Sequence, residues 1–137
     1  MRLSLNTGRV ICLTVLAPLL LLGGCHSPTQ PAPATIKEPP FTGTLQPGGS
    51  AAFPFSLTAT GDIVVTLVSL DPLSTITVGI GLGTPSAGTC NLLGFNAATA
   101  VGQMITDSEL KGDYCVSIYD NGDVTQPVNF TIQVVHS

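Results

Sequence analysis

Apolar residues recur at every second position through most of the chain between residues 41 and 137. The clearest runs are residues 76–82, with Ile76, Val78, Ile80 and Leu82, and residues 128–134. Residues 53–57 and 63–67 repeat the pattern. Because residues two apart in an extended chain share a face, each run has one side to bury and one to leave in water. The pattern predicts β-strands and leaves little room for amphipathic helices.

Between these runs lie short clusters of Gly, Pro, Asn and Asp, which are residues that favour turns. They occupy residues 46–49, 60–62, 71–72, 83–85 and 120–123. Short strands at this spacing, with at most a helical turn near residues 106–110, predict an all-β fold: a single antiparallel, jelly-roll-like β-sandwich. Pro54 has no N–H to donate, so its strand is predicted at a sheet edge or a bulge.

The amino-terminal 24 residues have the three-part layout of a secretory leader. Arg2 and Arg9 give a basic start, residues 10–22 form a 13-residue apolar run, and two glycines follow. That run is shorter than the about 20 apolar residues that a membrane-spanning helix needs. Leu22-Gly23-Gly24-Cys25 resembles the lipobox of bacterial lipoproteins, which implies cleavage before Cys25 and lipid attachment to it. The alternative is an ordinary signal peptide with an incidental cysteine.

These features predict three parts: a signal peptide at 1–24, a lipid-anchored Pro-rich linker at 25–40 and a β-sandwich domain at 41–137. Five prolines lie in residues 27–40. Extended at ~3.1 Å per residue, that segment would hold the domain up to about 40 Å from a membrane. A disordered terminus without a spacer role is the alternative. The expected location is the bacterial cell envelope, outside the cytoplasm. His26 is not an acidic retention residue, so the lipoprotein resemblance implies the outer membrane if the host has one.

The cysteine count points to one disulfide. Cys12 lies in the leader and Cys25 would carry lipid, which leaves Cys90 and Cys115 as a pair. An even remainder in an exported chain predicts a structural bridge, worth about 3.5 kcal/mol for a loop of this length. A redox couple or a pair of metal ligands is the alternative, but there is no Cys-x-x-Cys spacing and no histidine nearby in sequence.

Removal of the leader would leave a strongly acidic chain. Two lysines, Lys37 and Lys111, would then stand against eight carboxylates, a formal charge of −6. A polybasic surface for nucleic acid or anionic lipid headgroups is therefore excluded, and the predicted membrane attachment is through the lipid alone.

The domain resembles the bacterial pre-peptidase C-terminal family, a group of small β-sandwiches on secreted proteins. The matching segments are residues 41–45, 48–50, 53–55, 61–67 and 112–116. In that family the domain is an appendage of a peptidase or another exported enzyme, whereas these 137 residues include no such enzyme. The resemblance implies an accessory role and supplies no catalytic residue.

The sequence also lacks the minimum parts of common active sites. Beyond the leader the histidines are His26 and His136, and there is no His-Glu-x-x-His, Gly-x-Ser-x-Gly or phosphate-binding glycine loop. We therefore predict no catalytic residue, no cofactor and no metal site. A small hydrolase that uses two carboxylates is the least favoured alternative.

Two binding alternatives stay open. Residues 120–123, Asp-Asn-Gly-Asp, offer oxygen ligands for Ca²⁺, joined by Asp71 and Asp107 if folding brings them close. The same residues are typical of a hairpin turn. Tyr119, opposite in alternation to Tyr114, is the best candidate for an exposed ring that stacks on a glycan. The leading prediction is a non-enzymatic interaction or accessory module with an envelope protein or glycan partner.

Overall fold

The computed structural model describes residues 32–137 and folds them into β-strands joined by turns and loops. The nine strands are β1 Ile36–Lys37, β2 Phe41–Leu45, β3 Ser50–Leu57, β4 Gly61–Asp71, β5 Val78–Ser86, β6 Thr89–Thr99, β7 Met104–Glu109, β8 Gly112–Tyr119 and β9 Val128–His136.

The strands form two antiparallel sheets, which confirms the predicted β-sandwich. In the first sheet, β9 pairs with β1 and β2 along one side and with β4 on the other, and β7 closes the far side of β4. The second sheet has the order β3-β8-β5-β6. Pro54 lies in β3, at the edge of this sheet, as its missing N–H predicted.

The apolar positions of the two sheets face each other and form one core. Phe130 is the largest fully buried side chain, and a Cβ placed on Gly43 of β2 would lie 2.8 Å from its ring. Glycine at this position therefore lets the ring pack against the backbone of the neighbouring strand. Other members of the core come from most strands and include Leu45, Phe55, Ile63, Leu67, Ile80, Leu82, Val116, Ile118, Ile132 and Val134.

Three boundaries differ from the sequence-based expectations. Residues 106–110, where the sequence allowed at most a helical turn, lie mostly in strand β7, Met104–Glu109, which pairs with β4. Residues 83–85 were expected to form a turn but continue β5, and the hairpin turns at Ala87 and Gly88, both with positive φ. Ile36 and Lys37, inside the predicted linker, pair with β9, so the sheet begins before Phe41. Strands β7 and β1 form by pairing with strands distant in sequence, which local residue preferences do not encode. Residues 83–85 stay in β5 because they pair with residues 90–92 of β6.

The connection between β7 and β8 is fixed by a tyrosine. The Tyr114 hydroxyl donates to the backbone carbonyl of Leu110 at 2.8 Å and lies 3.2 Å from a carboxylate oxygen of Glu109. Burial and the neighbouring Glu109 carboxylate raise the pKa of Tyr114 above its ordinary value. The phenol therefore stays protonated and can keep donating to the carbonyl that it holds.

Candidate binding face

The outward side of the second sheet is the most distinctive surface of the domain. Residues directly opposite each other in neighbouring strands share a face. Gly81 of β5 lies opposite Ser117 of β8 on one side and Phe95 of β6 on the other. These three residues therefore share the outward face, and the pairing of the strands identifies the other residues on it. We call this surface the outer face; it includes Ala52, Pro54, Gly79, Gly81, Gly83, Pro85, Leu92, Phe95, Asp113, Cys115, Ser117 and Tyr119.

Glycines of β5 form the floor of the outer face. A Cβ on Gly79 would lie 2.0 Å from the ring of Tyr119, its partner across the ladder. A Cβ on Gly81 would lie 2.7 Å from Leu92. The Tyr119 ring therefore packs on bare backbone and is only partly exposed. Its outward direction agrees with the sequence alternation, but it is not the freely exposed ring that glycan stacking would need.

Phe95 is the exposed aromatic residue that the sequence analysis missed. Its side chain is 64% exposed, and Leu93 on the same strand is 59% exposed. Leu93 is the additional residue of a β-bulge, because the register with β5 shifts between Leu82 and Gly83. The bulge interrupts the alternation, so no periodic signal in residues 91–98 assigned Phe95 to the outward side.

The outer face carries almost no charge. Among the outward positions of β3, β8, β5 and β6, Asp113 is the charged residue, and it lies where β8 begins. Its carboxylate accepts a hydrogen bond from the Ser56 hydroxyl at 2.7 Å. The remaining positions are glycine, alanine, proline, serine, cysteine, tyrosine and apolar residues. On a domain with many carboxylates, such a surface suits a ligand or partner that is neutral where it makes contact.

The predicted disulfide between Cys90 and Cys115 is confirmed. The sulfur atoms are 2.00 Å apart and the Cα atoms 5.8 Å apart. Cys90 is in β6 and Cys115 in β8, with β5 between them in the sheet order. In a flat sheet such strands would be about 9.5 Å apart. The end of the β5–β6 hairpin therefore bends over the outer face towards β8, and the bridge holds it there.

Two adjoining cavities lie beneath the bent hairpin end. One, of about 300 Å³, lies between Pro54 of β3 and the turn at Ala87, with Cys115 in its wall. The other, of about 280 Å³, includes Ser50 and Ser117. Both are open to solvent, share Ala52, Gly88 and Thr89, and have no charged residue in their lining. They extend the neutral character of the outer face into two shallow recesses.

The 120–123 loop is organised by hydrogen bonds within the protein. The Asp120 carboxylate accepts from the backbone N–H groups of Gly48, Gly122 and Val124, at 2.7, 2.7 and 3.1 Å. These bonds, above all the one from Gly48, hold the pKa of Asp120 below its ordinary value. The Asp123 carboxylate accepts from the Thr77 hydroxyl. The loop thus ties the β2–β3 turn to the end of β8.

Folding does not gather acids around this loop. Within residues 32–137 no three side chains among His, Cys, Asp and Glu lie close enough to share a metal ion. Asp71 and Asp107 therefore do not join Asp120 and Asp123 in the arrangement that the Ca²⁺ alternative required. The hydrogen bonds that the Asp120 carboxylate accepts from the backbone give the 120–123 loop a structural role.

A third cavity, of about 200 Å³, brings together residue types that occur in hydrolases. Its lining includes Asp62, His136 and Ser137. His136, however, is 2% exposed, and its Nε2 lies 2.9 Å from Glu38. The Ser137 hydroxyl accepts from the backbone N–H of Asp62 at 3.1 Å. No hydrogen bond in the described chain joins the serine to the histidine, which is the contact that activates a nucleophile.

The predicted leader and the lipid attachment at Cys25 lie outside the described residues. Over residues 32–137, no helix is long and apolar enough to cross a membrane.

Comparison with known proteins shows the fold. No protein family and no curated protein matches this sequence. Among solved structures, the Yersinia pseudotuberculosis-derived mitogen is 14% identical with a TM-score of 0.52, over 75% of this chain and 86% of its own. PliG of Aeromonas hydrophila, a periplasmic inhibitor of g-type lysozyme, is 13% identical with a TM-score of 0.48, over 75% and 84%. The likeness to the mitogen supports the β-sandwich assignment.

Proposed function

We propose that this protein is a non-enzymatic, lipid-anchored interaction module, displayed outside the cytoplasm, that binds an envelope partner through the outer face. The observation that carries the proposal is the exposed ring of Phe95 on a face with almost no charge. Contiguous exposed apolar patches mark interaction sites, whereas single exposed apolar residues are ordinary on a protein surface.

The surroundings of Phe95 support binding rather than catalysis. Leu92 and Leu93 lie beside it in β6, and both are exposed. The glycines of β5 are held in place by pairing with β8, and the disulfide fixes the hairpin at one end. Such a surface buries apolar area on a partner without rearranging first, which lowers the entropic cost of association.

The resemblance to the pre-peptidase C-terminal family suits the same role. Members of that family accompany exported enzymes without supplying the catalytic groups. An accessory module with a neutral docking face requires no catalytic residue of its own. The leader and the lipobox-like residues before Cys25 would place this face in the cell envelope.

Capture of partners from envelope extracts tests the proposal. A full-length Cys25→Ser chain, secreted without lipid, is immobilised and compared with a second form that also carries Phe95→Ser. Val68→Ser is the matched control, because Val68 is 47% exposed but lies in β4 of the other sheet. We expect the same protein to be captured by the Cys25→Ser chain and by the Val68→Ser control, but not by the Phe95→Ser form. Equal capture by all three forms would show that the outer face is not the site.

The anchor has its own test. Mass spectrometry of the mature protein from membranes should show an acylated amino-terminal Cys25. A free Cys25 thiol, or cleavage at another bond, would refute the anchored part of the proposal and leave the binding face untouched.

A neutral glycan is the second candidate partner, and exposure of Phe95 is the observation that favours it. Aromatic rings stack on sugar rings, and the Phe95 side chain is 64% exposed. Co-sedimentation with insoluble peptidoglycan and with neutral polysaccharides tests this candidate. Binding that Phe95→Ser abolishes and Phe95→Trp keeps would establish it.

A further inference from the structure

We propose that the free edge of β6 pairs with an extended strand of a partner protein, and that this strand carries a basic side chain next to Asp107. The inference rests on the proposed function, because it names the kind of partner that the outer face and its edge would bind. Addition of a strand to an exposed sheet edge is a common mode of peptide recognition.

β6 differs from the other sheet edges of the domain. β3 carries Pro54 at its edge, and the β1–β2 edge is interrupted by Pro39 and Pro40. β7 carries two acids, Asp107 and Glu109. Proline and charge are devices that discourage pairing with another chain. Over its 11 residues, β6 has neither a proline nor a charged side chain.

Backbone groups at one end of β6 are already satisfied, and those in the middle are open to a partner. Asn121 donates to the carbonyl of Ala97 at 2.9 Å, and the N–H of Ala98 donates to the Asn96 side chain at 3.1 Å. Over the described residues, no side chain hydrogen-bonds to the backbone of residues 91–95. We define the β6 edge as residues 91–96. The bulge at Leu93 divides it, so a partner strand would pair mainly alongside Gly94 and Phe95.

The carboxylate of Asp107 favours a partner strand with a basic residue. One carboxylate oxygen of Asp107 would lie 3.5 Å from a Cβ on Gly94, so the acid sits beside the middle of the β6 edge. The other oxygen accepts from the N–H of Ser108 at 2.9 Å. Within residues 32–137, the one contact between a basic and an acidic side chain joins His136 and Glu38, so no basic side chain there pairs with Asp107. Lys or Arg on an incoming strand would supply it.

The same carboxylate disfavours a second copy of this chain as the occupant. If β6 paired with its own copy around Gly94, the twofold axis would bring two Asp107 carboxylates close together. The uncharged remainder of the edge and the exposed side chains of Leu93 and Phe95 favour apolar residues in the partner. The expected occupant is thus an extended segment in which polar and apolar residues alternate and one residue is basic.

Peptide binding to the full-length Cys25→Ser chain tests the inference. The probe is a blocked octapeptide of alternating Thr and Val in which one central Thr is Lys, and the matched control has Glu in place of Lys. We expect the Lys peptide to bind and the Glu peptide to bind about fivefold more weakly or worse, as one partly exposed ion pair implies. Asp107→Asn should remove that difference. Failure of the Lys peptide to bind overturns the proposal.

Two further measurements identify strand pairing as such. A strand presents the N–H groups of alternate residues to one neighbour, so N-methylation of the odd or of the even residues should abolish binding in one case only. Hydrogen exchange should show amides of the β6 edge protected by the peptide. The peptide could instead require Phe95 but tolerate both N-methylation patterns and leave the amides of the β6 edge unprotected. That result would keep the outer face as a binding site and overturn strand pairing. If sedimentation shows that the protein forms a dimer and that Phe95→Ser abolishes the dimer, the edge is assigned to a second copy of this chain instead.

Discussion

Nε2 of His136 lies 2.9 Å from a carboxylate oxygen of Glu38 and joins the last residue of β9 to the segment that follows β1. The imidazole is almost fully buried and stacks on the Phe55 ring with centroids 5.9 Å apart. Its Nδ1 has no hydrogen-bond partner within the described chain. Glu38 therefore supplies the one polar contact of a buried histidine.

Removal of Glu38 should cost more than its surface position suggests. Glu38→Ala leaves both ring nitrogens of a buried imidazole without a protein partner, so we expect a loss of about 1–3 kcal/mol in the free energy of unfolding. Urea denaturation measures it. The control is the double variant with His136→Phe, in which an apolar ring packs on Phe55 and most of the loss should be recovered. An equal loss in both variants would show that the pair matters through something other than the buried nitrogen.

The Asp120 carboxylate should make stability dependent on acid pH. Backbone hydrogen bonds lower its pKa in the folded state below the ordinary value of 3.8. A lowered folded pKa gives stability that is present above 3.8 and is lost as pH falls through the lower folded value. Asp120→Asn should therefore be less stable than the native chain at neutral pH, with the difference shrinking below pH 3.8. Denaturation at a series of pH values tests this, with Asp71→Asn, at the exposed last residue of β4, as the control.

Gly79 should not tolerate a side chain. A Cβ there would overlap the Tyr119 ring at 2.0 Å, so Gly79→Ala should destabilise the domain by about 1–3 kcal/mol, as overpacking does. Thermal unfolding measures the change. Gly112→Ala is the matched control, because the nearest atom to its Cβ lies at 3.6 Å. Tyr119→Ser in the Gly79→Ala background should recover part of the loss. A Gly79→Ala variant as stable as the control would contradict the packing of this ring on the glycine.

The disulfide should stabilise the domain through the loop that it closes. Replacing Cys90 and Cys115 by Ser should lower the free energy of unfolding by about 2–4 kcal/mol. A reducing agent should lower the melting temperature of the native chain and leave that of the double variant unchanged. Both measurements separate the bridge from other effects of the reducing agent. A native chain indifferent to reduction would mean that the bridge contributes little.

Several features followed from the sequence because they depend on neighbouring residues alone. Alternation with a period of two gives a strand two faces whatever it pairs with, so residues 63–67 and 128–134 were assigned to strands correctly. Pro54 lacks a donor in any environment, which predicted its edge position. The pairing of Cys90 with Cys115 followed by elimination, because the other two cysteines are assigned to the predicted leader and the predicted anchor.

What the sequence left undecided depends on contacts between distant residues. Tyr119 packs on Gly79, 40 positions away in sequence, and this contact covers its ring. The side chain of Phe95, in contrast, points into solvent because of the bulge in β6 opposite β5. Glu38 meets His136 only because β1 pairs with β9. The period of a strand specifies that two faces exist, but the order of strands in the sheets determines which side chains share a face. The sequence by itself determined a β-sandwich with one disulfide, and the tertiary structure decided which side chains make up its outer face.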